Sequence, residues 1–216
     1  MEKDSTLNSC LMLAINLETP VSLGCVFDSD DLKDTGVEVE SHITLLYAQG
    51  KEIEHKNLLN DIKDILGQED YKWIEGLIKE GEVYRVFDSF ELSMFDGDSD
   101  YVILKLKKET ALYKVLQLIN KSMSIKFGVK SDFLEYVPHL SLAELKPGTA
   151  SKYLDSEKLH NILDDSVYSI EDFLISYGTA NEPKDRKQYY LTSFKCIDRF
   201  FRIERLEKEL EELNMK

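Results

Sequence analysis

A chain of 216 residues that is 43% hydrophobic has enough apolar material for a substantial core, as one domain or as two tightly joined halves. Its net charge of −14 argues against long nucleic acids, which are held by many Lys and Arg contacts to phosphate. A compact ligand with a few phosphates remains compatible, because a pocket can be locally positive inside a negative shell. No apolar run approaches the roughly 18–20 residues of a membrane span, so no membrane partner is expected.

The start, Met1-Glu2-Lys3-Asp4-Ser5, lacks the basic residues and apolar stretch of a signal peptide, which points to a cytoplasmic protein. Cys10, Cys25 and Cys196 are odd in number and show no ligand spacing. They read as inert thiols in a reducing compartment, not as a zinc site or disulfide framework.

In chain order, Cys10 to Leu17 reads as a buried strand, and Val21 to Phe27 as a second apolar run before an acidic loop, Asp28 to Glu40. Ser41 to Tyr47 is the next strand. Leu58, Leu59, Ile62, Ile65 and Leu66 share one face of a helix that Gly67 is placed to end. Tyr71 to Gly81, with the single tryptophan Trp73, is less regular and reads as helix or lid. Strands are expected at Val83 to Met94 and Tyr101 to Lys107, around the turn Phe95-Asp96-Gly97-Asp98. Leu112, Val115, Leu116 and Ile119 mark a second amphipathic helix. Tyr136 to Leu142 is another strand, and Pro138 marks its start or edge because it cannot donate to a ladder. A Lys146-Pro147-Gly148 turn precedes a helix from Ser151 to Leu163. Late strands are expected at Phe173 to Tyr177 and Tyr189 to Phe194, joined by a charged loop, Asn181 to Lys187. The order strand, motif strand, helix, strand occurs twice, which suggests two similar lobes within residues 1–195. Residues 196–216 read as a C-terminal helix, with Ile203, Leu206, Leu210 and Leu213 on one face. It either packs back on the body or pairs with a second copy, giving a monomer or a homodimer.

Two of the four histidines begin nearly the same tetrapeptide: His42-Ile43-Thr44-Leu45 and His139-Leu140-Ser141-Leu142. In a strand, residues two apart point to the same side. Each tetrapeptide therefore turns an imidazole and a hydroxyl to one face and two aliphatic side chains to the other. At ordinary residue usage the coincidence has a probability of about 0.2%. The competing view is that both histidines are ordinary strand residues making structural hydrogen bonds.

The paired motifs resemble the 2H phosphoesterase superfamily, whose hallmark is two His-x-Thr/Ser-x tetrapeptides in two pseudo-symmetric lobes. Gly36-Val37-Glu38-Val39-Glu40-Ser41-His42-Ile43-Thr44-Leu45-Leu46-Tyr47 resembles the first-motif context of bacteriophage-encoded members, among them anti-CBASS cyclic oligonucleotide phosphodiesterases. Leu145-Lys146-Pro147-Gly148-Thr149-Ala150-Ser151-Lys152-Tyr153 is similar to the segment after their second motif. Matching order covers most of residues 8–195. Two departures stand out: Ser141 replaces the commoner Thr, losing the methyl that stiffens χ1, and Ser41 stands where a proline often precedes the first His. The resemblance implies an α+β fold of two lobes, each an antiparallel sheet with helices outside, around a central cleft. It also implies a phosphodiesterase acting on a small cyclic or 2′,5′/3′,5′-linked oligonucleotide. A phage origin implies a counter-defence enzyme in the host cytoplasm that degrades immune signalling nucleotides.

Cleaving a phosphodiester requires removing a proton from a nucleophile, delivering one to the leaving oxygen, and stabilising charge on the non-bridging oxygens. Histidine titrates near neutrality and suits the first two tasks, so His42 and His139 are the expected base and acid, in either order. Thr44 and Ser141 are the expected donors to the non-bridging oxygens. No metal or other cofactor is expected, because no spaced carboxylate cluster accompanies the histidines. For base stacking the candidates are Tyr47, Trp73, Tyr136 and Tyr153, although aromatics beside strands are more often core. Lys146 and the Lys184–Lys187 loop are candidates for positive charge, against a reading as solvated surface. Glu144 lies five residues past His139, so a regular strand turns it to the opposite face and it is excluded. His55 and His160 fall in helices and read as surface residues. Rival functions are a 2′,3′-cyclic phosphodiesterase acting on RNA ends, a nucleotide sponge without turnover, and an interaction protein with vestigial motifs.

Overall fold

The computed structural model describes residues 7–129, 135–179 and 182–192. The strands are β1 (Asn8–Glu18), β2 (Leu32–Val37), β3 (His42–Ala48), β4 (Tyr84–Arg85), β5 (Phe90–Phe95), β6 (Asp100–Leu106), β7 (His139–Leu145), β8 (Val167–Thr179) and β9 (Glu182–Tyr190). The helices are α1 (Leu58–Glu80), α2 (Val86–Ser89), α3 (Ala111–Phe127), α4 (Ser151–Leu154) and α5 (Glu157–Asp164). All strands join one curled, antiparallel nine-stranded sheet in the order β4-β8-β1-β3-β7-β6-β5, with β2 on β7 and β9 on β8. The architecture is mixed α+β. No helix among the described residues is long and apolar enough to cross a membrane.

The core lies on one face of the sheet. Leu11, Leu13 and Ile15 of β1 and Ile43 and Leu45 of β3 pack there with Leu140 and Leu142 of β7. They meet Ile62, Ile74 and Ile78 of α1 and Leu112, Leu116 and Ile119 of α3. This is the hydrophobic alternation of the strands meeting the apolar stripes of two amphipathic helices. Gly67 breaks α1 as its position suggests: at φ 70° and ψ 179° it interrupts the helix, and a second helical stretch runs on to a left-handed cap at Gly81. The stretch from Tyr71 is therefore helix. Thr110 starts α3 by accepting from the Tyr113 N–H at 3.2 Å.

Several expected elements differ. The apolar run at Val21–Phe27 forms a single 3₁₀ turn at Leu23–Cys25, and β2 forms inside the stretch read as an acidic loop. The expected strand from Val83 divides into β4, the one-turn α2 and β5. The helix from Ser151 divides at Ser156, whose Oγ accepts from the Leu159 N–H at 3.3 Å and starts α5 afresh. The charged segment read as a loop, Asn181 to Lys187, is strand from Glu182 onward, because Glu182 and Lys187 find ladder partners in Thr179 and Tyr177 of β8. The expected C-terminal helix, Cys196, and the expected strand end at Phe194 lie outside the described residues.

Candidate active site

Both motif strands form, β3 within one residue of its expected bounds and β7 starting at His139 rather than Tyr136, and they are neighbours in the sheet. They meet at a single pair, Ile43 with Leu140, both fully buried on the core side. Continuing that antiparallel register by one residue each way sets His42 across from Ser141 and Thr44 across from His139. The two imidazoles and two hydroxyls thus share the face opposite the helices, arranged as a crossed quadrilateral.

The backbone around each motif is the same. His42 donates from Nδ1 to the Glu40 carbonyl at 2.7 Å, and His139 donates from Nδ1 to the Val137 carbonyl, also at 2.7 Å. A carbonyl oxygen only accepts, so Nδ1 carries the hydrogen in both rings, and in the neutral form Nε2 is the basic nitrogen. Each histidine is held in one tautomer and one orientation by the chain two residues before it.

Both strands also carry a β-bulge after the hydroxyl residue. Leu46 pairs with Leu11 and Thr44 with Met12, leaving Leu45 as the extra residue of β3. Ala143 pairs with Val102 and Ser141 with Ile103, leaving Leu142 as the extra residue of β7. In each strand two consecutive residues are buried at that point, Leu45-Leu46 and Leu142-Ala143. A bulge disturbs the ladder, and the carbonyls there need other partners. On β3 the Tyr136 hydroxyl donates to the Thr44 carbonyl at 2.8 Å and Asn120 Nδ2 donates to the Leu45 carbonyl at 2.7 Å. On β7 the Glu38 N–H donates to the Leu142 carbonyl at 2.9 Å. The Gly36-Val37-Glu38 segment before the first histidine thus braces the strand of the second.

The bulges correct the parity argument. Past the extra residue, the fifth position after each histidine returns to the open face. Tyr47 arrives there half exposed, and Glu144, excluded on the assumption of a regular strand, arrives at the equivalent place on β7, on the opposite side of the Ile43–Leu140 pair. Glu144 accepts from Ser99 Oγ at 2.6 Å, and Ser99 Oγ in turn accepts from Lys33 Nζ at 2.6 Å.

The surroundings of the two histidines differ. The Phe95 ring stands edge-on to His139, with centroids 4.8 Å apart. Burial pushes the His139 imidazole below its ordinary value, its hydrogen bond to Val137 opposes that shift, and the nearby His42 adds a smaller lowering. Lys105 lies directly across the ladder from His139 and pairs with Glu91 at 3.2 Å. On the other side, Met12, Ala14 and Leu174, flanked by Cys10 and Tyr190, form a small apolar cluster next to Thr44 and His42. The Thr44 hydroxyl lies 4.0 Å from Cys10 Sγ.

Other sequence candidates lie elsewhere. Trp73 sits on α1, which packs on the core side of the sheet, and is partly exposed. Tyr136 is placed inward as the brace on Thr44, and burial pushes its phenol up, so it offers no stacking surface. Tyr153 is buried against Phe27, and its hydroxyl donates to Asp31 Oδ2 at 2.6 Å. Lys146 donates to the Asp30 carbonyl at 2.5 Å beyond the end of β7. The side chains of the Lys184–Lys187 stretch up to residue 186 lie outside the described residues. Sequence reasoning missed Phe95 and Lys105 and excluded Glu144. Alternation along Tyr101, Ile103 and Lys105 signals the second, whereas the other two depend on the bulge and the curl of the sheet. Among the described residues no group of three or more His, Cys, Asp or Glu side chains is placed to hold a metal ion.

No protein-family model matches the chain, and no curated protein matches it either.

Proposed function

We propose that the chain is a phosphodiesterase that hydrolyses a small cyclic or 2′,5′/3′,5′-linked oligonucleotide. One observation carries the reading: two histidines with identically fixed tautomers and two hydroxyls share one sheet face around the Ile43–Leu140 pair. A structural histidine needs no such duplication, whereas in-line displacement at phosphorus needs one proton acceptor and one donor on opposite sides.

In this reading His139 is the base. Burial lowers its ring below the ordinary histidine value, which favours the neutral form, and Nε2 takes the proton of the attacking oxygen, from water or from the vicinal ribose hydroxyl. The new P–O bond forms as the bond to the leaving ribose oxygen breaks, and protonated His42 delivers the Nε2 proton to that oxygen. Thr44 and Ser141 hydroxyls donate to the non-bridging oxygens, whose charge grows in the transition state. Attack by water leaves a phosphomonoester, and attack by the vicinal hydroxyl leaves a 2′,3′-cyclic phosphate.

The 2H resemblance supplies the finer architecture: β4-β8-β1-β3 is one lobe and β7-β6-β5 the other, with the single Ile43–Leu140 pair as their seam. Through its likeness to phage-encoded members, the substrate is a bacterial immune signalling nucleotide and the enzyme acts in the host cytoplasm. The net charge of −14 favours such a compact ligand over RNA ends.

The test is chromatography of cyclic di- and trinucleotides, cyclic mononucleotides and 2′,3′-cyclic nucleotides incubated with EDTA, comparing wild type with the His42→Ala/His139→Ala double variant. Cleavage of a cyclic oligonucleotide by wild type alone is expected. Intact ligand retained by both proteins identifies a sponge and overturns the enzymatic reading. Cleavage confined to 2′,3′-cyclic compounds moves the function to RNA-end processing.

A further inference from the structure

The matched bulges do more than return two side chains to the open face. β3 and β7 are antiparallel, so the fifth residues after the two histidines extend in opposite directions from the seam. Tyr47 lies beyond the Thr44/His139 row and Glu144 beyond the His42/Ser141 row. Each is about three residue positions from the Ile43–Leu140 pair, roughly 10 Å along a strand. That is the reach of one nucleoside from its phosphate, once the length of the side chain is included.

The two positions are geometrically equivalent and chemically unlike. Tyr47 presents a half-exposed ring and no other feature. Stacking on such a ring is tolerant of base identity, since every base has a π-face. Glu144 is a partly buried carboxylate that accepts from Ser99, itself bonded to Lys33, and is hydrogen-bonded by the side chain of Tyr101 across the ladder, contacts that set its rotamer. A carboxylate only accepts hydrogen bonds. Among the bases, guanine places an imino and an amino donor side by side on one edge. Adenine and cytosine set a ring-nitrogen acceptor beside their amino group, and uracil flanks its imino with two carbonyl oxygens, which a carboxylate repels.

We propose that Tyr47 and Glu144 are base subsites on opposite sides of the scissile phosphate, Tyr47 indifferent to the base and Glu144 selecting guanine. The specificity of the enzyme is therefore asymmetric: one flanking nucleotide is free and the other is a guanosine. This rests on the phosphodiesterase reading above, and deepens it by naming the substrate class.

Calorimetry with the dinucleotides GpA, ApG, ApA, IpA and ApI on the His42→Ala/His139→Ala background, where turnover is too slow to interfere, tests it. One of GpA and ApG binds about tenfold or more tighter than ApA, the range of a charge-assisted hydrogen bond. Inosine at that position, lacking the 2-amino group, loses most of the gain. Glu144→Gln removes the preference, Ser99→Ala weakens it while keeping the carboxylate, and Tyr47→Ala lowers the affinity of all five dinucleotides by a similar factor. Equal thermal midpoints for the variants exclude a folding defect, and Ser99→Ala remains as the informative arm if Glu144→Gln fails to fold. Binding with no guanine preference, or a preference that survives both changes, overturns the subsites and leaves the phosphodiesterase standing. Absence of binding by any dinucleotide overturns the subsites, while the phosphodiesterase reading stands or falls separately on the chromatographic panel of cyclic nucleotides.

Discussion

His42 and His139 have the same backbone and different surroundings. Both donate from Nδ1 to a carbonyl two residues earlier at 2.7 Å, and both precede a bulge one residue past a hydroxyl. Around them the halves part company. His139 lies against Phe95 with Lys105 across the ladder, while His42 borders the apolar cluster of Met12, Ala14 and Leu174. A repeated tetrapeptide repeats the local geometry of its imidazole and hydroxyl. In the proposed mechanism, the residues contributed by neighbouring strands decide which histidine accepts the proton and which donates it.

The largest expected effect tests what the halves share. His42→Ala and His139→Ala each lower turnover by about 10²–10⁴-fold, the usual contribution of a positioned acid or base. Near-wild-type turnover in either variant breaks the pairing. Next come the hydroxyls: Thr44→Val and Ser141→Ala lower kcat by about 10²-fold with KM little changed, as loss of one charge-stabilising donor does. Steady-state kinetics on the substrate found by the chromatographic panel measure both.

A smaller effect concerns the bracing. Tyr136→Phe leaves the Thr44 carbonyl without its side-chain donor and costs about 1–2 kcal/mol of stability in denaturant unfolding. Asn120→Ala does the same at Leu45. An unchanged midpoint in both would show that the bulge does not depend on these donors.

The smallest effect separates the halves. With His139 as base, the rate falls as pH drops through the His139 pKa, and burial sets that limb below the ordinary histidine value of 6.5. Phe95→Ala opens the ring to water, the pKa rises toward that value, and the acidic limb moves up in pH. The variant therefore loses proportionally more activity in acid than at neutral pH. A pH–rate profile with no shift, or a shift downward, assigns the acidic limb to another group.

The site was partly legible in the chain. His42, Thr44, His139 and Ser141 could be placed on one face from alternation alone, because strand period and burial of Ile43 and Leu140 leave no other orientation. The same rule failed at Glu144, since alternation counts residues and a bulge inserts one without changing composition. The roles of Tyr136 and Trp73 were illegible for a different reason. An aromatic side chain reads alike whether it faces a ligand, braces a carbonyl or covers a helix, and only its neighbours distinguish these roles.

The sequence by itself determined the local elements of the site: two motif strands, the amphipathic helices behind them, Gly67 as a helix break and the pairing of each imidazole with a hydroxyl. These depend on interactions within a few residues, so their signals survive in the linear order. The tertiary structure alone decided that the motif strands adjoin at Ile43 and Leu140, that Leu45 and Leu142 bulge, and that His139 rather than His42 lies against an aromatic ring. Those outcomes depend on contacts and register between strands far apart in the chain, up to the pairing of Ile43 with Leu140, and register follows from how the whole sheet packs on α1 and α3.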